Sequence, residues 1–203
     1  MTTKKFLKIL IWTTIIIFSL RLLLSLSEVT DKLFVHDTIG AVYVLFSFAS
    51  EAITISAVFG WLFNRYLWRN KIISELIGVP ILRKQYSGEL FSNYDNKSGK
   101  NLKRKPHEIE VSFSQTLLSL SMSLKTKESK SQSVDIAIKQ DGSGQKLIAT
   151  YFNEPGAMVR KRSPIHYGTA LLCVNDDGTI SGNYYTDRGT FGELELKPKP
   201  KSK

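Results

Sequence analysis

The sequence predicts two N-terminal transmembrane α-helices forming a hairpin, followed by an all-β domain: an eight-stranded antiparallel up-and-down β-barrel. Three observations carry that prediction. Two apolar runs near the N-terminus each reach the roughly 20 residues that a membrane-crossing helix needs. After Pro80 no helical period recurs, and eight short β-rich runs follow one another. Tight-turn residues separate several of these runs, so that neighbours join as hairpins. The organisation that follows is a transmembrane hairpin over 1–63, a linker over 64–79, a β-barrel domain over 80–197 and a basic tail over 198–203.

The first span is FLKILIWTTIIIFSLRLLLSL (6–26) and the second GAVYVLFSFASEAITISAVFGWL (40–62), joined by the short connector SEVTDKLFVHDTI (27–39). Lys4, Lys5 and Lys8 lie at the start of the first span, and Arg65, Arg69 and Lys71 follow the second; the connector holds only Lys32. The positive-inside rule then places both termini in the cytoplasm. Trp12, Trp61, Tyr66 and Trp68 suit the interfacial aromatic belt. A cleavable signal peptide is the rival reading of the Lys-rich start, opposed by Arg21 within the apolar run and by the lack of an A-x-A-type site.

Arg21 and Glu51 stand inside the spans and are the candidates for a transmembrane function. A charge at mid-span costs about 2.5–3.5 kcal/mol on insertion scales, so each needs a partner. They can pair within the hairpin or meet between copies in an assembly. Ala52, Ser56 and Gly60 recur at i, i+4 and i+8, a small-residue stripe suited to close helix packing. The stretch 64–79 reads as a helical or interfacial linker that stops at Gly78 and Pro80.

The chain carries a net charge of +10, and residues 80–203 hold 20 Lys and Arg against 13 Asp and Glu, or +7. A basic surface favours anionic partners: nucleotides, nucleic acid or anionic lipid. KPKPKSK at 197–203 reads equally as a solvated tail. The single cysteine, Cys173, excludes an intrachain disulfide, and within LLCVN it is expected to act as a small hydrophobe. One cysteine and three histidines exclude a cysteine-based zinc site.

The predicted strands are 83–91, 107–114, 117–125, 133–140, 145–153, 166–174, 179–186 and 190–197. Leu118, Leu120, Met122 and Leu124 alternate with serines, and Val134, Ile136 and Ile138 alternate around Asp135. DGSG (141–144) and NDDG (175–178) are tight-turn chemistry, and longer connections occupy 92–106 and 154–165. Eight is also the strand number at which a closed barrel can hold one small ligand. A two-sheet sandwich is the competing arrangement on pattern alone.

No HExxH, GxSxG, Walker-A or GxGxxG pattern is present, so no catalytic residue and no metal ligand is indicated. Binding has better support. Tyr151, Asn153, His166, Tyr167, Tyr184, Tyr185 and Arg188 gather in the last third of the chain, several within GNYYTDRGTFG (182–192). Tyrosine faces stack on bases, arginine forks onto phosphate oxygens, and small polar groups read base edges or ribose hydroxyls. Barrel packing and an ordinary hairpin turn at Asp187–Arg188–Gly189 account for the same residues. Three classes of function stay open on this ground: a ligand-gated membrane protein, a membrane-tethered lipid-binding (lipocalin-like) barrel, and an enzyme such as a phosphodiesterase.

The order of motifs is familiar. Two spans precede GVP…Y-x-G (78–88), Y-x-N-x-P (Tyr151, Asn153, Pro155), H-x-G-T (His166, Gly168, Thr169) and G-x-Y-Y-T-x-R-x-T-x-G (182–192). This resembles the SMODS-associating two-transmembrane, β-strand-rich effectors of cyclic-oligonucleotide-based antiphage signalling (CBASS), along nearly the whole chain. The resemblance implies an eight-stranded barrel that binds a cyclic dinucleotide made by a partner nucleotidyltransferase. It implies no cofactor and no catalysis, and no DNA or RNA polymer as partner. Binding would drive homo-oligomer formation, inner-membrane disruption and cell death. On matching positions it implies base stacking by Tyr185 and Tyr151, phosphate pairing by Arg188, and polar contacts from Thr186, Thr190, Asn153, His166 and Thr169. The family often carries Trp in the first strand where this chain keeps an aromatic as Tyr86, a further ligand candidate.

Overall fold

The computed structural model describes residues 3–93, 106–141 and 144–200, in two compact units, 1–77 and 78–203. The centre of the predicted DGSG turn, most of the 92–106 connection and the tail from 201 onward lie outside the described residues.

In the first unit, helix α1 (Thr3–Leu24) is followed by α2 (Leu26–Phe34), α3 (Thr38–Arg65), a single 3-10 turn at Leu67–Arg69, and α4 (Lys71–Ile77). Helix α1 and the helical stretch 38–69 are each long and apolar enough to cross a membrane. The connector is not a plain loop, because most of it forms α2, whose Val29 packs on Val44 and Phe48. Asp37 caps α3 by accepting a bond from the Gly40 amide at 2.9 Å. The linker is broken rather than continuous, and α4 gives way to Gly78, which takes a φ of +72°.

Ala41, Val44, Phe48, Ala52, Ser56 and Gly60 are the buried positions of α3. Their spacing of three or four makes them one stripe. A Cβ added at Gly60 would sit 2.6 Å from Leu10 Cδ2, so α1 approaches closely there. The small-residue stripe is therefore occupied inside the hairpin. Arg21 Nε donates to Glu51 Oε2 at 3.1 Å and Nη1 to Ser25 Oγ at 2.8 Å, while the guanidinium carbon lies 4.8 Å from the Phe48 ring centre. Of the two arrangements open to these charges, the chain adopts the pair within the hairpin.

The second unit is a closed barrel with strands in sequence order: β1 (Gln85–Ser92), β2 (His107–Gln115), β3 (Leu120–Lys125), β4 (Ser129–Asp141), β5 (Gly144–Pro155), β6 (His166–Val174), β7 (Ile180–Thr186) and β8 (Phe191–Pro198). Each strand pairs antiparallel with the next, and β8 returns to β1. Alternation sends one face of every strand inward, as with Ile109, Val111 and Phe113 on β2 or Ala170 and Leu172 on β6. Outward positions include Cys173, expected to act as a small hydrophobe, which is exposed.

Two local predictions change. Strand β3 begins at Leu120, because Thr116–Ser119 closes a turn through the Thr116 amide and the Ser119 carbonyl at 2.8 Å. Val134 does not share a face with Ile136 and Ile138: the register slips between Ser133 and Asp135, and Val134 is left 65% exposed. That bulge adds one residue and inverts the parity of β4.

One end of the barrel is closed. The Gln115 side chain accepts a bond from the Leu82 amide (3.0 Å) and donates to the Pro80 carbonyl (2.7 Å), fixing the incoming chain across that end. Tyr86 packs edge-on against Phe113 with ring centres 5.5 Å apart, and its hydroxyl accepts from the Arg83 amide at 3.2 Å.

Candidate ligand-binding site

At the other end the barrel opens into a cavity of about 620 Å³. That volume lies in the range of small-molecule sites. Its floor is apolar, built from Met122, Leu124, Leu172, Leu194 and Leu196, and its mouth is polar. Among the described residues the 126–128 turn, the loop 156–165 and the 187–189 turn frame the mouth, together with Ser92 and Pro106 at the ends of β1 and β2.

Two tyrosines line the wall, each opposite a glycine on the neighbouring strand: Tyr151 faces Gly168, and Tyr184 faces Gly192. A Cβ at Gly168 would lie 2.5 Å from Tyr151 Cζ and Oη; at Gly192 it would lie 2.8 Å from Tyr184 Cε1. Neither glycine has a positive φ, so the missing side chain is what matters. Its absence leaves room for each ring against the neighbouring strand, and both tyrosines line the cavity. Burial pushes the Tyr151 phenol above the usual tyrosine range, with smaller upward pushes from Tyr184 and Asp187, so it stays a neutral hydroxyl.

A polar relay crosses three strands beside Tyr151. Ser131 Oγ donates to Asn153 Oδ1 at 3.2 Å, Asn153 Nδ2 to His166 Nε2 at 3.3 Å, and His166 Nδ1 to the Pro164 carbonyl at 2.9 Å. A neutral His166 protonated on Nδ1 satisfies all three bonds. That tautomer leaves no lone pair on Nδ1 for Arg188 Nη1, 3.4 Å away. The guanidinium bonds instead to Ser163 Oγ at 2.8 Å.

Arg188 sits on a turn built to hold it. The Thr186 amide donates to the Thr190 carbonyl (2.9 Å), the Gly189 amide to the Thr186 carbonyl (3.1 Å), and Gly189 takes φ +70°. This is the three-residue hairpin loop with glycine at the left-handed position. Asp187 ties the turn to β6: its amide donates to the Tyr167 carbonyl at 3.0 Å, and its Oδ2 accepts from the Tyr167 amide at 3.2 Å. Nearby cations are matched, with Arg162 on Glu128, Arg160 on Glu154 and Lys127 on Glu108. Among the described residues Arg188 has no carboxylate partner, so its positive charge at the mouth is not compensated there.

Of the sequence-predicted residues, Tyr151, Asn153, His166, Thr186, Arg188 and Thr190 come together around the cavity. Three do not. Tyr185 points outward and is 48% exposed, Thr169 lies on the outer face of β6, and Tyr86 is buried at the closed end. Sequence reading missed Ser131 and the loop residues Val159, Arg162 and Ser163, and it singled out Tyr185 where Tyr184 is the tyrosine that lines the cavity. A parity count would have found Tyr184: Ile180 is inward, hence so are 182 and 184. No sequence pattern marks the loop.

Comparison with known proteins adds two findings. Over 190 residues the chain is 26% identical to CD-NTase-associated protein 15 of Staphylococcus schleiferi, covering 94% of this chain and 93% of that protein, helices included. Residues 77–198, which contain all eight strands, match the family described as Cap15, cyclic dinucleotide receptor domain. With more than half its length and its whole barrel inside that match, the chain belongs to the Cap15 family.

Proposed function

We propose that this protein is a membrane-anchored CBASS effector whose barrel cavity binds a cyclic dinucleotide made by a partner nucleotidyltransferase. The observation that carries the reading is the pairing of two wall-lying tyrosines with an uncompensated arginine at the mouth of one cavity. Tyr151 and Tyr184 offer ring faces to the bases, with stacking worth about 1–3 kcal/mol per base. Arg188 meets a phosphate, and Asn153, His166, Thr186 and Thr190 supply polar contacts. The ligand acts as an activator and leaves unchanged; no catalytic step is assigned. Both termini face the cytoplasm, and ligand binding drives self-association of the helical hairpins, disruption of the inner membrane and cell death.

The apolar floor gives the lipid-binding alternative its one supporting observation. Calorimetric titration of the full chain in detergent, against cyclic dinucleotides and fatty acids in parallel, separates the two. The expected result is saturable binding of a cyclic dinucleotide, recovered intact, and weakened about 10–100-fold in Arg188→Ala by loss of a charged hydrogen bond. Uptake of fatty acid by a folded protein that ignores every nucleotide overturns the reading.

A further inference from the structure

Strand β4 is paired very unequally on its two sides. Against β5 its register runs from Ser129 to Asp141, whereas against β3 it covers only Lys130, Ser131 and Gln132. At the point of divergence the Met122 amide bonds the Ser133 side chain instead of a backbone carbonyl (2.9 Å). Beyond it, residues 134–140 have no strand on the β3 side among the described residues. The Ile136 amide is satisfied by its own neighbour, Asp135 Oδ1, at 2.9 Å. It therefore points away from β5, and by the alternation of an antiparallel ladder the backbone groups of Ile138 point the same way. Asp135, Ala137 and Lys139 are exposed, while Ile136 and Ile138 are half-buried against the core. An open edge of this kind is a template for another strand.

The sequence of the edge says which strand. Asp135–Ile136–Ala137–Ile138–Lys139 is self-complementary when laid antiparallel on itself about Ala137. Asp135 then faces Lys139 of a second copy, Ile136 faces Ile138, and Ala137 faces Ala137. Opposite charges directly across a pair of strands stabilise the pairing, and like charges oppose it. An unrelated strand would have no reason to match this order, whereas a two-fold axis matches it twice.

We infer that the free edge of β4 is a homodimer interface, joining two barrels by antiparallel pairing of residues 134–140 about a two-fold axis through Ala137. Since Ile136 and Ile138 carry the outward hydrogen-bonding groups, the Ala137 pair is a non-hydrogen-bonded one, with Cα atoms about 4.5 Å apart. That spacing falls within disulfide reach. A seven-residue edge is a small interface, so the dimer forms where copies are concentrated in a membrane and not in dilute solution. It requires no ligand, so its test is independent of the proposed nucleotide site.

The test uses the full chain in membranes without added nucleotide, with Cys173 replaced by Ser to remove the one native thiol. Ala137→Cys should cross-link to a covalent dimer under mild oxidation, about tenfold more than Ser87→Cys on the outer face of β1. Asp135→Lys or Lys139→Asp alone should cut that yield about tenfold by placing like charges opposite each other twice per dimer. The double reversal, Asp135→Lys with Lys139→Asp, should restore it, which no folding defect would do. Equal cross-linking at positions 137 and 87, or single and double reversals with the same yield, overturns the interface.

Discussion

Gly168→Ala tests whether the tyrosine wall is what the cavity depends on. The new Cβ would lie 2.5 Å from Tyr151 Cζ and Oη and 2.6 Å from the Tyr185 carbonyl oxygen. Non-bonded carbon atoms need well over 3 Å, so something must move by about 1 Å. The ring end can rotate inward, but the carbonyl belongs to the β7 backbone, paired with β6 from Gly168 to Val174. Overpacking of this kind costs about 1–3 kcal/mol. For a barrel of this size that lowers Tm by roughly 3–15 °C. Displacing the Tyr151 ring should also remove one stacked base, about 1–3 kcal/mol or a 5- to 150-fold loss of affinity. Thermal melting and calorimetric titration of the same detergent preparation read the two effects separately. An unchanged Tm refutes the close approach, and a lowered Tm with undiminished nucleotide affinity refutes the role of Tyr151.

Gln115→Leu should destabilise the barrel by about 2–4 kcal/mol, because it strands the Leu82 amide and the Pro80 carbonyl at a buried position; urea melts of the variant measure it. The Tyr151 phenol, raised in the folded barrel mainly by burial, gives stability that is full below the unfolded tyrosine value near 10.0 and falls as pH climbs above it. Tyr151→Phe should flatten part of that alkaline decline in melts taken from pH 9 upward. In the helical hairpin, Glu51→Leu leaves Arg21 charged and unpaired inside a span, whereas Arg21→Leu with Glu51→Leu removes both charges. Membrane accumulation should therefore be lower in the single variant than in the double, and equal levels would show that the pair contributes nothing.

The strands were legible because alternation and turn chemistry are local. All eight runs are strands, and the closing order follows from hairpins between neighbours. Errors arose where a property depends on parity or depth. On β6 inward and outward residues alternate strictly from His166, which places Thr169 and Cys173 outside even though the run looks uniformly apolar. On β4 a one-residue bulge reverses that parity, and nothing in SVDIAIKQ announces it. Tyr86 shows the second difficulty. Its side chain points inward, yet it sits at the plugged end, and depth along a barrel is fixed by stagger between strands that no single strand encodes.

The same distinction explains what 182–192 is for. Gly189 makes the turn, Thr186 and Thr190 close it, Asp187 fastens it to Tyr167, and Gly192 leaves room for Tyr184. Most of the segment is thus scaffold, and only Tyr184, Arg188 and the two threonines line the cavity. Under the proposed function, the scaffold is also what makes the charge usable. A guanidinium on a free loop would lose conformational entropy on meeting a phosphate. Arg188 is already held over the mouth by one neutral hydroxyl, Ser163 Oγ. A phosphate can displace or share that bond without first breaking an ion pair. Arg162, tied to Glu128, lacks this advantage although it lines the same cavity. Proximity to the lumen is shared by many side chains here, and what sets Arg188 apart from Arg162 is that, among the described residues, no carboxylate holds it.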